Sequence, residues 1–155
     1  MISQTAEYAL RAIVHLADKG DAPQTTQQIA EQTRVPAGYL AKVMQTLGRS
    51  GIVHARRGLH GGFTLAMPPA ELTVLDVVQA VDPVQRIEHC PLGIPGHKTL
   101  CSLHSRLDDT AAMVEKALGS STIADLLIVS KCGVPKPLCS SEIEGGCPSS
   151  CPASD

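Results

Sequence analysis

The chain has 155 residues, 43% of them hydrophobic, which suffices for one well-buried domain with accessories but not for two independent enzyme domains. Its net charge of -2 conceals an asymmetry: residues 1–66 carry seven Lys and Arg against four Asp and Glu, and residues 67–155 carry six against eleven. One Phe, two Tyr and no Trp speak against an aromatic platform for single strands, and no apolar run approaches the roughly 20 residues of a membrane span.

The first helix is expected from Thr5 to Ala17, where Ala6, Leu10, Ile13, Val14 and Ala17 recur at the helical period and Gly20 supplies a stop. Thr25 and Gln28 have capping-box spacing, so a short second helix carries Ile29 and Ala30 inward and ends near Thr33. Pro36 suits the first turn of a third helix, which runs to about Ser50 with Leu40, Val43, Met44 and Leu47 on its buried stripe. The short turn Thr33-Arg34-Val35 between these two helices has the spacing of a helix-turn-helix.

Two short strands follow, Ile52-Val53-His54-Ala55 and Phe63-Thr64-Leu65, joined through Gly58, Gly61 and Gly62. A helix-turn-helix followed by such a hairpin describes a winged DNA-binding domain. The third helix is then the one that enters the major groove, presenting Tyr39, Lys42, Gln45 and Arg49 to phosphates or base edges. Arg56 and Arg57 at the base of the turn, with His60 on it, are the candidate wing contacts.

Met67-Pro68-Pro69 ends the wing, and Thr73 with Asp76 caps a helix whose Val74, Val77, Val78 and Val81 pack inward before Asp82-Pro83. Residues 84–99 read as a loop. Beyond it Leu100, Leu103, Leu107, Val114, Ala117 and Leu118 keep near-heptad spacing up to Gly119, a stripe that either pairs with its twin in a homodimer or packs on its own winged domain. Thr122 and Asp125 cap one more short helix. Residues 131–155 hold four Cys, four Pro, three Gly and five Ser, the composition of a disordered tail.

The fold class read from these elements is mainly α: a winged helix-turn-helix domain over 1–82, a sensor loop over 83–104, a dimerisation-helix region over 100–130 and a Cys-rich tail over 131–155. The N-terminus carries no basic-plus-apolar signal, so a cytoplasmic location is expected. In that reducing compartment six cysteines argue for metal ligation or thiol chemistry over a disulfide framework. No nucleophile–base pairing or phosphate loop points to an enzyme, since Gly61-Gly62 precedes a strand rather than opening a helix.

Several blocks in order, Ala6-Glu7-Tyr8-Ala9-Leu10-Arg11, Ile29-Ala30 with Tyr39-Leu40, Arg57-Gly58 with Gly61-Gly62-Phe63, Leu75-Asp76-Val77-Val78 and Thr122-Ile123-Ala124-Asp125-Leu126, resemble one family over roughly residues 1–127. It is the winged-helix transcription regulators that include the cluster-assembly regulator IscR, the nitric-oxide sensor NsrR and the cysteine-metabolism regulator CymR. The resemblance implies a homodimeric regulator, more often a repressor, on a double-stranded DNA operator. Cluster-binding members place three cysteines before the dimer helix, the last followed by x-x-His. Cys90 and Cys101-Ser102-Leu103-His104 match the first and last, the middle cysteine is absent, and His97 does not align with it. Glu7 occupies the place of an acidic residue that in some relatives reaches the cluster from the other subunit.

Two thiolates, an imidazole and a carboxylate make a plausible shell for an iron–sulfur cluster, 2Fe–2S before 4Fe–4S, with Cys101 and His104 three apart on one helical face. Two other readings stand beside it: a cluster-free thiol switch at Cys90 and Cys101, and a metal-handling protein built on the tail. Cys132, Cys139, Cys147 and Cys151 lack the paired C-x-x-C of a zinc ribbon.

Overall fold

The computed structural model describes residues 2–58, 61–92 and 99–127. His60, His97, the end of the 100–130 region and the whole 131–155 tail with its four cysteines lie outside them.

Among the described residues six helices and one hairpin follow in the order α1 (Gln4–Lys19), α2 (Thr26–Thr33), α3 (Ala37–Arg49), β1 (Val53–Arg56), β2 (Gly62–Leu65), α4 (Val74–Val81), α5 (Ser102–Gly119) and α6 (Ile123–Leu126). The fold is mainly helical with a two-stranded antiparallel sheet, as the sequence implies. α1 is longer than its apolar period suggests. The Ser3 side chain accepts from the Ala6 N–H at its start, and Asp18 and Lys19 extend its end without contributing to the stripe.

α1 is the hub of the core. Ala6, Ala9 and Ala12 are fully buried, and these small side chains let neighbouring elements approach closely, while Ile13 and Leu16 are fully buried in the core that α1 shares with α2, α3 and α4. From α3 come Leu40, Val43, Met44 and Leu47, all within 3% exposure, and Ile29, Leu72, Val77 and Ile123 complete the cluster. Fully burying a side chain of this size contributes about 1.5–3 kcal/mol.

Three capping boxes fix where α2, α4 and α6 begin: Thr25 with Gln28, Thr73 with Asp76, and Thr122 with Asp125. In each, the threonine hydroxyl accepts from the third helical N–H and the acidic or amide side chain accepts from the cap N–H. Pro36 is the cap residue of α3 rather than part of its first turn. Between α2 and α3 the chain turns through Arg34 in the left-handed region, φ 55°.

The hairpin pairs Val53 with Leu65, His54 with Thr64, Ala55 with Phe63 and Arg56 with Gly62. It is pinned to the body by reciprocal backbone bonds between Gln24 and Phe63, at 3.0 and 2.8 Å. A Cβ on Gly62 would stand 2.7 Å from the Gln24 carbonyl oxygen, so only glycine allows that approach. A second short bridge, Thr73 with Thr122, docks α6 beside α4. α5 buries none of its residues fully in the single chain.

Candidate nucleic-acid interface and metal centre

Lys42, Gln45 and Arg49 follow one another at spacings of three and four on α3, all exposed, while Val43, Met44 and Leu47 between them face the core. This split is what an amphipathic helix of period 3.6 produces, and it frees a polar face for a partner. A cleft of about 840 Å³ runs between that face and the hairpin, and Lys42, Gln45, Arg49 and Arg57 all line it. The small residues Gly48 and Ala41 also line it.

His54 and Thr26 also line the cleft. Neither is a sequence candidate. His54 carried a signal in its place on the first strand; the first residue of α2 enters only through tertiary packing. Arg56, opposite Gly62, is exposed but outside the cleft lining. Tyr39 is turned towards α1: its hydroxyl shares a hydrogen bond with Thr5, and its ring meets Tyr8 edge-on at 5.6 Å. It remains 40% exposed.

The second candidate site lies at the start of α5. Cys101 is the cap residue of that helix, its side chain makes no capping bond, and one turn on His104 brings Nδ1 to 3.1 Å from the Cys101 sulfur. The Cys90 sulfur lies 3.6 Å from the same nitrogen. These three ligand atoms, on half-buried residues, all lie within 4.8 Å of one another. Two thiolates and an imidazole are a soft donor set suited to iron–sulfur centres or zinc.

Cys90 arrives from a segment without regular structure, which Arg86 ties to α5 four residues earlier. The Arg86 Nε and Nη2 donate to the two Asp108 oxygens, both at 2.7 Å, and Nη1 donates to Glu115 at 3.0 Å. The Ile87 N–H adds a bond to Asp108 at 2.9 Å, and Gln79 on α4 donates to Glu115 at 3.2 Å. The guanidinium, then the Ile87 amide, lowers the Asp108 pKa to about 2, and the Asp108 carboxylate, then that of Glu115, raises the pKa of Arg86. No local pattern in the sequence announces this clamp.

Glu7 is not among the converging donors. It is ion-paired with Arg11, whose Nη1 also donates to the Thr33 carbonyl at 3.3 Å, at the end of α2. The carboxylate is therefore one side chain away from the helix-turn-helix turn.

Along α5, Leu103, Leu107 and Met113 are 62, 51 and 71% exposed. With α4 and the start of α1 the helix borders an apolar cleft of about 580 Å³ that includes Ile2, Val78, Leu107, Val114 and Leu118. Within the chain α5 packs chiefly on α4.

Residues 2–128 match the Rrf2 family, described as iron-dependent transcriptional regulators. An HTH-type transcriptional regulator of Aquifex aeolicus is 31% identical over 133 residues, covering 82% of this chain and 91% of the relative. Among solved structures, CymR, the global cysteine regulator of B. subtilis, superposes with a TM-score of 0.67 at 25% identity, covering 81% of this chain and 95% of that one. IscR of T. potens gives a TM-score of 0.66 at 25% identity, covering 82% and 85%.

Proposed function

Because the chain belongs to the Rrf2 family of iron-dependent transcriptional regulators, we propose that it is a cytoplasmic homodimeric repressor that grips a pseudo-palindromic operator and is switched through a metal centre at Cys90, Cys101 and His104. Residues 1–82 are the DNA-binding unit, 83–104 the sensor loop and 100–130 the dimerisation region. The observation that carries the DNA half is the cleft in which Lys42, Gln45, Arg49 and Arg57 meet. Cations spaced along a groove beside an exposed helix suit a phosphate backbone and the base edges between its strands. Arg56 and His60 serve as flanking wing contacts, and Tyr39 contributes by holding the first turn of α3 against α1. Among the described residues no helix is long and apolar enough to cross a membrane.

The sensor half is an iron–sulfur centre, 2Fe–2S, with the two thiolates and His104 as its donors and Glu7 contributed across the dimer as the exchangeable fourth. When bound, such a group would supply one-electron redox chemistry. This chain's residues relay the change. Glu7 drawn away from Arg11 would loosen the hold of Arg11 on the Thr33 carbonyl and so the entry to α3. A switch of this kind needs only a local change in charge pairing beside an element with two arrangements.

The proximity of the Cys90 and Cys101 sulfurs supports a second reading, a thiol switch. There a hydroperoxide removes two electrons and two protons to join the sulfurs. Anaerobic purification separates the two: bound iron and sulfide with visible absorbance favour the cluster, a colourless protein the thiols. Selection from randomised duplexes tests the DNA half. Recovery of an inverted repeat is the expected result, and failure to enrich any duplex would overturn it.

A further inference from the structure

We propose that the cluster-free form of this chain holds a single thiophilic divalent cation, zinc(II) in class, on Cys90 Sγ, Cys101 Sγ and His104 Nδ1, with the fourth position open to water. The inference rests on the metal-centre reading above only for the location of the site. It departs from it in nuclearity.

Bonds of about 2.3 Å to sulfur and about 2.0 Å to nitrogen at tetrahedral angles put sulfur and nitrogen donors about 3.5 Å apart, and two sulfurs about 3.8 Å apart. The sulfur–nitrogen separations here are 3.1 and 3.6 Å, and the whole triangle lies within 4.8 Å. Three donors gathered so tightly cap one face of one tetrahedron.

The triangle is also held without reference to any metal. The Arg86 clamp on Asp108 and Glu115 ties the Cys90 segment to α5, and Cys101 and His104 share one turn at the start of that helix. A preset site of two thiols and an imidazole binds a soft dication with release of protons: each S–H bond breaks, its proton passes to solvent, two metal–sulfur bonds and one metal–nitrogen bond form, and no electrons are transferred. Glu7, paired with Arg11, leaves the fourth position to water within one chain.

The test uses cobalt(II) as a spectroscopic probe, added anaerobically to the full-length apoprotein carrying Cys132→Ser, Cys139→Ser, Cys147→Ser and Cys151→Ser so that tail thiols add no signal. Expected are one cobalt per chain, intense tetrahedral d–d bands with sulfur-to-cobalt charge transfer, and displacement by zinc. Cys90→Ser and Cys101→Ser should each abolish the charge-transfer intensity in part. His104→Ala, with circular dichroism as a check on folding, and Arg86→Ala should each weaken binding at least about tenfold. Two cobalt ions per chain, a weak octahedral spectrum, or a spectrum unchanged by Cys90→Ser and Cys101→Ser would overturn the proposal. Failure of the cluster reading is seen separately, as absence of iron and sulfide from the anaerobically isolated protein.

Discussion

Arg86 and Asp108, 22 residues apart in sequence, form a two-point ion pair with both N–O distances at 2.7 Å, and this pair joins the segment that leads to Cys90 to α5. A fork of two parallel bonds fixes orientation as well as distance. The Asp108 pKa is held at about 2, below its ordinary 3.8, so the contact stabilises fully above about pH 4 and is lost as pH falls through about 2. Carboxylate titration by NMR should show a midpoint near 2 that returns towards the ordinary value in Arg86→Ala. An unchanged midpoint in that variant would remove the clamp from the account.

The cleft between α3 and the wing ranks its cations. Arg57→Ala, Lys42→Ala and Arg49→Ala should each lower duplex affinity and reduce the slope of log K against log salt by about 1. Arg56→Ala, outside the cleft lining, should do less. Gln45→Ala should relax preference at one base pair, about 1–3 kcal/mol for a well-formed base contact. Fluorescence anisotropy across a salt series reads all of these. Equal effects for Arg56 and Arg57 would move the interface away from the cleft.

What the sequence revealed, and what it did not, divides by range. The three capping boxes are written in residues three apart, and each starts a helix where the spacing says. The helical faces of α1 and α3 follow from periodicity, and the pairing of Cys101 with His104 from a single turn. The approach of Cys90 depends on an arginine meeting an aspartate 22 positions away, and neither has a pattern that singles it out. Likewise Gln24 meets Phe63 through backbone atoms, which carry no residue signature. The tertiary engagement of Tyr39 with Thr5 and Tyr8 was equally hidden, since an exposed aromatic on a recognition helix reads as a DNA contact.

The apolar stripe on α5 predicts assembly. Leu107 and Val114 stand one heptad apart and are 51 and 37% exposed, an arrangement that leaves apolar area in water unless a second chain covers it. Leu107→Asp with Val114→Asp should yield a monomer in sedimentation equilibrium, with circular dichroism close to that of the parent because neither side chain belongs to the core. Operator affinity should fall with loss of the second half-site. A double variant that still sediments as a dimer would place the interface elsewhere.

His15 gives the fold a pH dependence of its own. It is 3% exposed on α1, and its Nε2 has no hydrogen-bond partner. Burial, and then the nearby Lys19, lower its pKa from the ordinary 6.5, against smaller opposing effects of Gln24 and Asp18. The unfolded chain therefore binds a proton before the folded one does, so stability is full above about pH 6.5 and declines as pH falls below it. Urea midpoints should drop between pH 7.5 and 5.5, and His15→Leu should flatten that dependence. Gln24 is also the residue whose backbone pins Phe63, so a proton on His15 is expected to reach the anchor of the hairpin through Gln24. Wing-dependent DNA binding should then weaken over the same pH range, by less in His15→Leu than in the parent chain; identical pH profiles for the two would separate His15 from the wing.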